Sequence, residues 1–419
     1  VSEDEVTVHG STHPAFRPVR DEFLRSVRQG TELGASLAVW HEGELVVDLW
    51  AGLRDREAAL PYEADTLTTM FSTTKGMVAI CFLMLSERGL FDYDAKLSTY
   101  WPAFSSSDKR QITGRMLFNH RSGLIGLKEP LTIAQLERAQ ARVEDPQARD
   151  EVTSILERAR PVWEPGTSQG YHAVTYGLYA AELFTRITGE SIGTFFRREV
   201  AGPLSADVYI GLPEALEPRV AKNYAPTSRD RVRLGLPELV AHGLSGQTAP
   251  EGRILVDILR KGDSWFAFHE PQELGQSAVE NFNTRRVHAL ELPWGNGLGS
   301  ARGICRVYSA LANGGSIDGV RVVRPETLAP LAERQSWSPR DRVLKRAMGW
   351  TQGFVKEDPG VFSNTSTTSF GHPGAGGALG WCDPRRKLAI GYVTVNMDHH
   401  VRSTRALALC RMIEGCVGG

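Results

Sequence analysis

Phe71-Ser72-Thr73-Thr74-Lys75-Gly76, running directly into the apolar stretch Met77 to Leu85, decides the reading of this 419-residue chain. From Ser72 to Arg88 the pattern is helical. Met77, Val78, Ile80, Cys81, Phe82, Met84 and Leu85 make the helix apolar on nearly all sides, and Gly89 marks its stop. Such a helix belongs at the centre of a core. A spacing of three puts Ser72 and Lys75 on one helical face. A serine hydroxyl becomes a nucleophile when a neighbouring base takes its proton, and a lysine amine becomes that base when burial or another cation lowers its pKa. The helix N-terminus adds backbone N–H groups for a developing oxyanion. Only nine of the 48 basic residues are lysines, so a lysine at this position carries more information than usual.

Taken alone, the tetrapeptide also describes a capping serine beside a lysine whose stem lies along apolar surface. Ser106 and Lys109 repeat the spacing inside Ser105-Ser106-Ser107-Asp108-Lys109-Arg110, which reads as a solvated loop unable to lower a lysine pKa. Two further segments change the weighing. Trp163-Glu164-Pro165-Gly166-Thr167-Ser168-Gln169-Gly170-Tyr171-His172 is a turn-rich loop offering a phenol and an imidazole just before a helix. A tyrosine near a lysine cation ionises more easily and can share the base role, although a packed core tyrosine reads the same way. In Gly371-His372-Pro373-Gly374-Ala375-Gly376-Gly377 the glycines let backbone approach a ligand closely, or else mark a flexible loop.

Outward from these segments, Ala35 to Trp40 and Leu45 to Trp50 are β-prone runs joined by His41-Glu42-Gly43-Glu44, the pattern of a hairpin, with a helix over Phe16 to Arg28 before it. Residues 115–285 carry helical patterns at Ile133 to Arg142, Val152 to Ala159, Tyr176 to Thr188 and Ile192 to Glu199. Tyr224 to Gly275 has no clear assignment and is expected to form a binding lobe or lid. A helix follows from Ala301 to Leu311, then a β-prone run at Leu388 to Val395 and a closing helix at Thr404 to Met412. The expected fold is α+β. An antiparallel sheet flanked by helices is built from both chain ends (1–114 and 286–419), and a mostly helical lobe (115–285) is inserted between them.

Lys+Arg 48 against Asp+Glu 49 leaves no global field for nucleic acid or an anionic membrane. No apolar run approaches the roughly 18 residues of a membrane helix. The first thirty residues lack the basic start and apolar stretch of a secretory signal, so the expected location is the cytoplasm. Cys81, Cys305, Cys382, Cys410 and Cys416 are dispersed and read as core or incidental thiols. Asp398-His399-His400 looks like a metal cluster, but adjacent residues on an extended segment point to opposite faces and no third ligand is evident. Gly243-Leu244-Ser245-Gly246 lacks the spacing of a nucleophile elbow. No metal or other cofactor is expected.

Together the Ser72, Tyr171 and His372 segments resemble the serine β-lactamase and penicillin-binding-protein superfamily, most closely its class C β-lactamase-like branch, which includes the family VIII carboxylesterases. Leu117-Phe118-Asn119-His120-Arg121-Ser122-Gly123-Leu124 and Gly299-Ser300-Ala301-Arg302-Gly303 extend the likeness, making five boxes in the family's order. The resemblance implies the β-lactamase/transpeptidase-like fold. It also implies Ser72 as acylated nucleophile, Lys75 as its proton partner, and Tyr171 as general base and later as acid to the leaving group. The oxyanion hole would be the N–H groups of Ser72 and Ala375, and His172, His372 and Gly374 would line the substrate site. Two positions depart from the family: Ala173 stands where an asparagine hydrogen-bonds a substrate amide, and His372-Pro373-Gly374 replaces Lys-Thr-Gly with a weaker, pH-dependent cation. Both departures point from β-lactams towards small-molecule esters and a serine carboxylesterase. Acyl transfer to a natural-product alcohol or amine, β-lactamase or D-amino-acid peptidase action, and a non-catalytic scaffold are the alternatives. Trp163, Trp265, Trp294, Trp337 and Trp381 are candidates to line an apolar acyl pocket.

Overall fold

The computed structural model describes residues 7–106, 108–226, 250–274, 279–356, 358, 361, 366–398 and 400–418. The hairpin forms where the β-prone runs lie: β1 (Val8–Thr12) pairs with β3 (Glu44–Asp55), and β3 with β2 (Gly34–His41), whose shared turn holds Glu42 and Gly43 at positive φ. A short β4 (Leu60–Pro61) joins β3. The other edge of β2 pairs antiparallel with the late strand β15 (Leu388–Thr394), from His41↔Leu388 to Ala35↔Thr394. Beyond it lie β14 (Leu379–Asp383), β13 (Phe370–Pro373), β12 (Phe354–Lys356), β11 (Met348–Thr351) and β10 (Ser336–Ser338), which completes a ten-stranded antiparallel sheet among the described residues. Both ends of the chain thus build one sheet. Two smaller pairings stand apart: β5 (Thr68–Thr69) and β6 (Val208–Tyr209) flank β7 (Leu298–Gly299), and β8 (Ser316–Ile317) pairs with β9 (Val320–Arg321).

Alternation along the central strands sorts the two faces. Leu37, Val39, Ile390 and Tyr392 pack with Val19 and Phe23 of α1 (Arg17–Arg28) and with Leu409 and Ile413 of the C-terminal helix Thr404–Cys416. Ala38, Trp40, Ala389 and Val393 pack in the opposite cluster with Ile304 and Tyr308 of the helix Ala301–Ala312. That helix rides close to the sheet because the strands carry glycine beneath it. A Cβ at Gly391 would lie 2.1 Å from the Ala301 carbonyl oxygen, and one at Gly380 would lie 2.2 Å from the Tyr308 ring.

The apolar run after Ser72 forms α2 (Thr74–Glu87), buried at every residue from Thr74 to Leu85, with Gly89 at φ +70° just past its end. Phe82 anchors it among Phe91, Phe118 and Phe184 at ring distances of 5.0, 4.5 and 5.6 Å. Truncation of such a residue costs about 3–5 kcal/mol. Around it pack helices Ile133–Ala141, Pro146–Arg158, Thr175–Thr188 and Ile192–Phe196, in the part of the chain where helical periodicity predicted them. No helix among the described residues is long and apolar enough to cross a membrane.

Several expectations change. Lys109 is buried rather than solvated: its ammonium donates to the Glu157 carbonyl and lies 5.1 Å from the Phe104 ring centroid, and burial lowers its pKa. Ser106 is exposed and donates to Asp108 at 3.0 Å, so the pair is still not assembled. Three of the tryptophans are engaged in other ways. Trp381 is fully buried on β14, Trp337 is half-exposed beneath Arg334, and Trp265 stacks on His269 at 3.9 Å. Asp398 pairs with His400 at 2.6 Å and accepts from Ser403 Oγ at 2.9 Å at the start of the C-terminal helix; His399 lies outside the described residues. Within the unassigned Tyr224 to Gly275 segment, residues 250–274 include the helices Pro250–Leu259 and Asp263–Phe268, while Gly243-Leu244-Ser245-Gly246 lies outside the described residues.

Candidate active site

Ser72 sits in a 3-10 turn, Phe71–Thr73, that feeds α2. Phe71 adopts φ +42°, a left-handed conformation strained for a bulky side chain, so the surrounding structure must hold it. It does so through the turn's neighbours. Thr74 Oγ1 donates to the Phe71 carbonyl at 2.6 Å and accepts from the Gly297 N–H at 3.0 Å, while Met70 N–H donates to the Gly297 carbonyl at 2.8 Å. Gly76 is required one residue after the lysine, since a Cβ there would lie 2.1 Å from the hydroxyl of buried Tyr308.

Lys75 is fully buried, with Nζ 3.1 Å from Ser72 Oγ and 2.6 Å from the Trp294 carbonyl oxygen. No carboxylate lies within ion-pair distance of it among the described residues. Burial without a counter-ion drives its pKa well below the ordinary lysine value. A neutral amine fits both contacts, donating one N–H to Trp294 and turning its lone pair to the serine hydroxyl. The rings of Tyr171 and Tyr176 enclose it at 5.0 and 5.9 Å.

Tyr171 is buried beside this pair, stacked on Trp350 at 5.7 Å with planes 8° apart. Burial raises its pKa, while a hydrogen bond with Ser72 and the charge of Arg402 pull it down. Burial thus opposes ionisation of the phenol, which the sequence suggested would ionise readily.

The two histidines also differ from expectation. His172 is fully buried with both ring nitrogens engaged, Nδ1 donating to the Gly170 carbonyl at 2.7 Å and Nε2 accepting from Ser122 Oγ at 2.7 Å. Burial lowers its pKa to about 3. Its ring braces the Tyr171 loop and has no nitrogen left for a substrate. His372 is buried too; its Nδ1 donates to the Pro373 carbonyl at 2.8 Å, leaving Nε2 as an acceptor without a partner among the described residues. Burial first, and then the neighbouring Lys75, keeps its pKa well below the ordinary value, so this position is neutral rather than a pH-dependent cation. Gly374 is where backbone must come close: a Cβ would lie 2.3 Å from the Met70 carbonyl oxygen and 3.1 Å from Thr73 Oγ1. Ala375 follows at the surface, opening the 3-10 turn Ala375–Gly377. Ala173 is buried.

The structure thus gathers Ser72, Lys75, Tyr171, His372 and Gly374 and gives His172 a supporting place. Sequence reasoning named Trp294 for its ring but missed the carbonyl by which it holds the lysine, and it missed His120, whose Nδ1 accepts the His172 N–H at 3.0 Å. It also missed Asp341, which accepts the Tyr171 N–H at 3.0 Å. A backbone carbonyl has no sequence signature. His120 stood inside a quoted box, but as one of several polar residues there.

A large antiparallel sheet, a buried helix led by Ser-x-x-Lys and a tyrosine beside the lysine define a hydrolase of the β-lactamase/transpeptidase-like fold. The chain belongs to the beta-lactamase family, whose model matches residues 20–409. Esterase/beta-lactamase LipL of Mycobacterium tuberculosis is 31% identical over 393 residues, 92% of this chain and 82% of that protein. The crystal structure of a family VIII carboxylesterase is 32% identical with a TM-score of 0.81, over 98% of this chain and 100% of that one. A penicillin-binding protein homologue from Caulobacter crescentus is 28% identical with a TM-score of 0.80, over the same shares. The protein is an enzyme of the beta-lactamase-like superfamily with esterase relatives.

Proposed function

We propose that the protein is a serine carboxylesterase that cleaves small carboxylic esters through a Ser72 acyl-enzyme. The observation that carries this reading is the fully buried Lys75 amine 3.1 Å from Ser72 Oγ, with no carboxylate beside it among the described residues and its pKa lowered by burial. As the serine oxygen attacks the ester carbonyl, Lys75 takes its proton. The Ser72 and Ala375 N–H groups receive the oxyanion; the close packing of Gly374, the residue before Ala375, on the Met70 carbonyl supports this assignment. The proton passes through the Tyr171 hydroxyl to the departing alkoxide. Deacylation reverses the route, with water in place of the alcohol and the proton returned to Ser72. The neutral surroundings favour esters over β-lactams, because His372 offers an acceptor where a cation would bind a drug carboxylate, and Ala173 offers no amide.

The test is the initial rate on p-nitrophenyl esters from acetate to octanoate beside a chromogenic cephalosporin, for wild type and Ser72→Ala. Ester turnover lost in the variant, with a cephalosporin rate far below the best ester, is the expected result. Equal ester turnover by Ser72→Ala would refute the mechanism, and a cephalosporin rate matching the best ester would refute the preference.

A further inference from the structure

We propose that Asp341 is a positioning residue for Tyr171, acting through the Tyr171 peptide N–H. The inference rests on the role of Tyr171 given above. Asp341 is fully buried, and its Oδ1 accepts from the N–H groups of Tyr171 at 3.0 Å, Val343 at 2.9 Å and Leu344 at 2.9 Å. Oδ2 faces Gln169 Nε2 at 3.4 Å. The Val343 and Leu344 bonds are those by which an aspartate ordinarily builds its own turn. The bond to Tyr171 is different: it reaches across 170 positions of sequence and adds nothing to that turn.

The same segment grips the tyrosine twice. Trp350, on which the Tyr171 ring lies flat, stands on β11, and β11 begins seven residues after Asp341. Backbone anchor and ring platform therefore belong to one short run of chain. The flanks of Tyr171 are tied in too. Arg342 N–H donates to the Gln169 carbonyl at 3.0 Å, Gln169 Nε2 donates to the Met348 carbonyl at 3.1 Å, and Gly170 N–H donates to the His120 carbonyl at 3.0 Å. The turn is braced from outside. Arg342 pairs with Asp263 at 2.7 Å, Lys345 with Asp257 at 3.0 Å, and Ser264 Oγ donates to the Val343 carbonyl at 2.7 Å. The helices Pro250–Leu259 and Asp263–Phe268 thereby steady the residue that moves the proton. A backbone shift of about 1 Å at Tyr171 would carry its hydroxyl off Ser72, and misplacement of that size costs about 100-fold in rate.

Asp341→Ser separates the two jobs of the carboxylate. A serine hydroxyl still bonds the N–H groups of its own turn but is one bond too short for Tyr171. Asp341→Asn keeps an acceptor at full length. On the best p-nitrophenyl ester, Asp341→Ser is expected to lower kcat about 30- to 100-fold with KM within about 3-fold. Asp341→Asn should stay within about 5-fold of wild type, and in a Tyr171→Phe background Asp341→Ser should cost less than about 3-fold further. The proposal is overturned if Asp341→Ser matches wild type, if Asp341→Asn falls as far as Asp341→Ser, or if the loss is undiminished in the Tyr171→Phe background. Tyr171→Phe alone separates the two failures. If it is fully active the tyrosine mechanism fails; if it is impaired while Asp341→Ser is not, only the Asp341 role fails.

Discussion

Lysine is a useful base only when uncharged, which makes pH the sharpest perturbation of this site. At the ordinary lysine pKa of 10.5, about one amine in 3,000 is uncharged at pH 7. In this protein Lys75 is fully buried and has the Trp294 carbonyl at 2.6 Å in place of a counter-ion, so its pKa is driven well below that value. The sign follows directly. The uncharged, active form is fully populated above the lowered pKa and falls tenfold per pH unit below it. The profile of kcat/KM on p-nitrophenyl butyrate, corrected for spontaneous hydrolysis between pH 5 and 10, should therefore reach its plateau well below pH 10.5 and fall on the acid side of the lowered pKa. Rates of inactivation by a phosphonate should trace the same limb, since that reagent reports acylation alone. At pH 7 the deficit from the plateau should fall well short of the about 3,000-fold expected of an ordinary lysine. His372 is held neutral by burial, so His372→Asn should leave the limb in place. A log kcat/KM that climbs with unit slope from pH 7 to pH 10 would refute the reasoning, because Lys75 would then be charged in the resting enzyme.

Linkage offers a second view of the same group. Between its lowered folded pKa and 10.5, unfolded Lys75 holds a proton that the folded state lacks, so the stability of wild type relative to Lys75→Met should rise as pH climbs towards 10.5; a gap that stays constant up to pH 10.5 in urea titrations would contradict a lowered lysine pKa. Gly76→Ala sets a helix-propensity gain of about 1 kcal/mol against overpacking of about 1–3 kcal/mol on buried Tyr308. A net loss is expected, relieved by adding Tyr308→Phe, and a stabilised single variant would show that α2 has room there. His172→Ala removes two buried hydrogen bonds and leaves a cavity, so it should cost about 2–4 kcal/mol while KM along the ester series holds; a chain-length-dependent change in KM would return His172 to the substrate site.

What could be read from sequence was what neighbours along the chain determine. The β-prone runs at Ala35 to Trp40 and Leu45 to Trp50 became β2 and β3, and the all-round apolar stretch after Ser72 became the central helix because no other place could bury it. Helix starts were less visible. The helix expected from Val152 begins at Pro146, where Asp145 accepts from the Gln147 N–H, because a polar first turn carries no apolar period. Burial of polar side chains escaped altogether. Lys109 is covered by the helix ending at Arg158, and His172 finds Ser122 fifty positions away; neither partner is legible from the local residues. Ser72 and Lys75 could be paired from sequence because their geometry is local to one helical turn. Trp294 and Asp341, which hold the lysine and the tyrosine from 219 and 170 positions away, could not.

The most direct test of the central claim is intact-mass analysis after treatment with a fluorophosphonate, with peptide mapping of the adduct. Attack by Ser72 Oγ forms a phosphorus–oxygen bond and expels fluoride, so wild type should gain one phosphonyl group on the peptide containing Ser72, and Ser72→Ala should gain none. A single adduct mapped to another residue, or labelling undiminished in Ser72→Ala, would contradict the account.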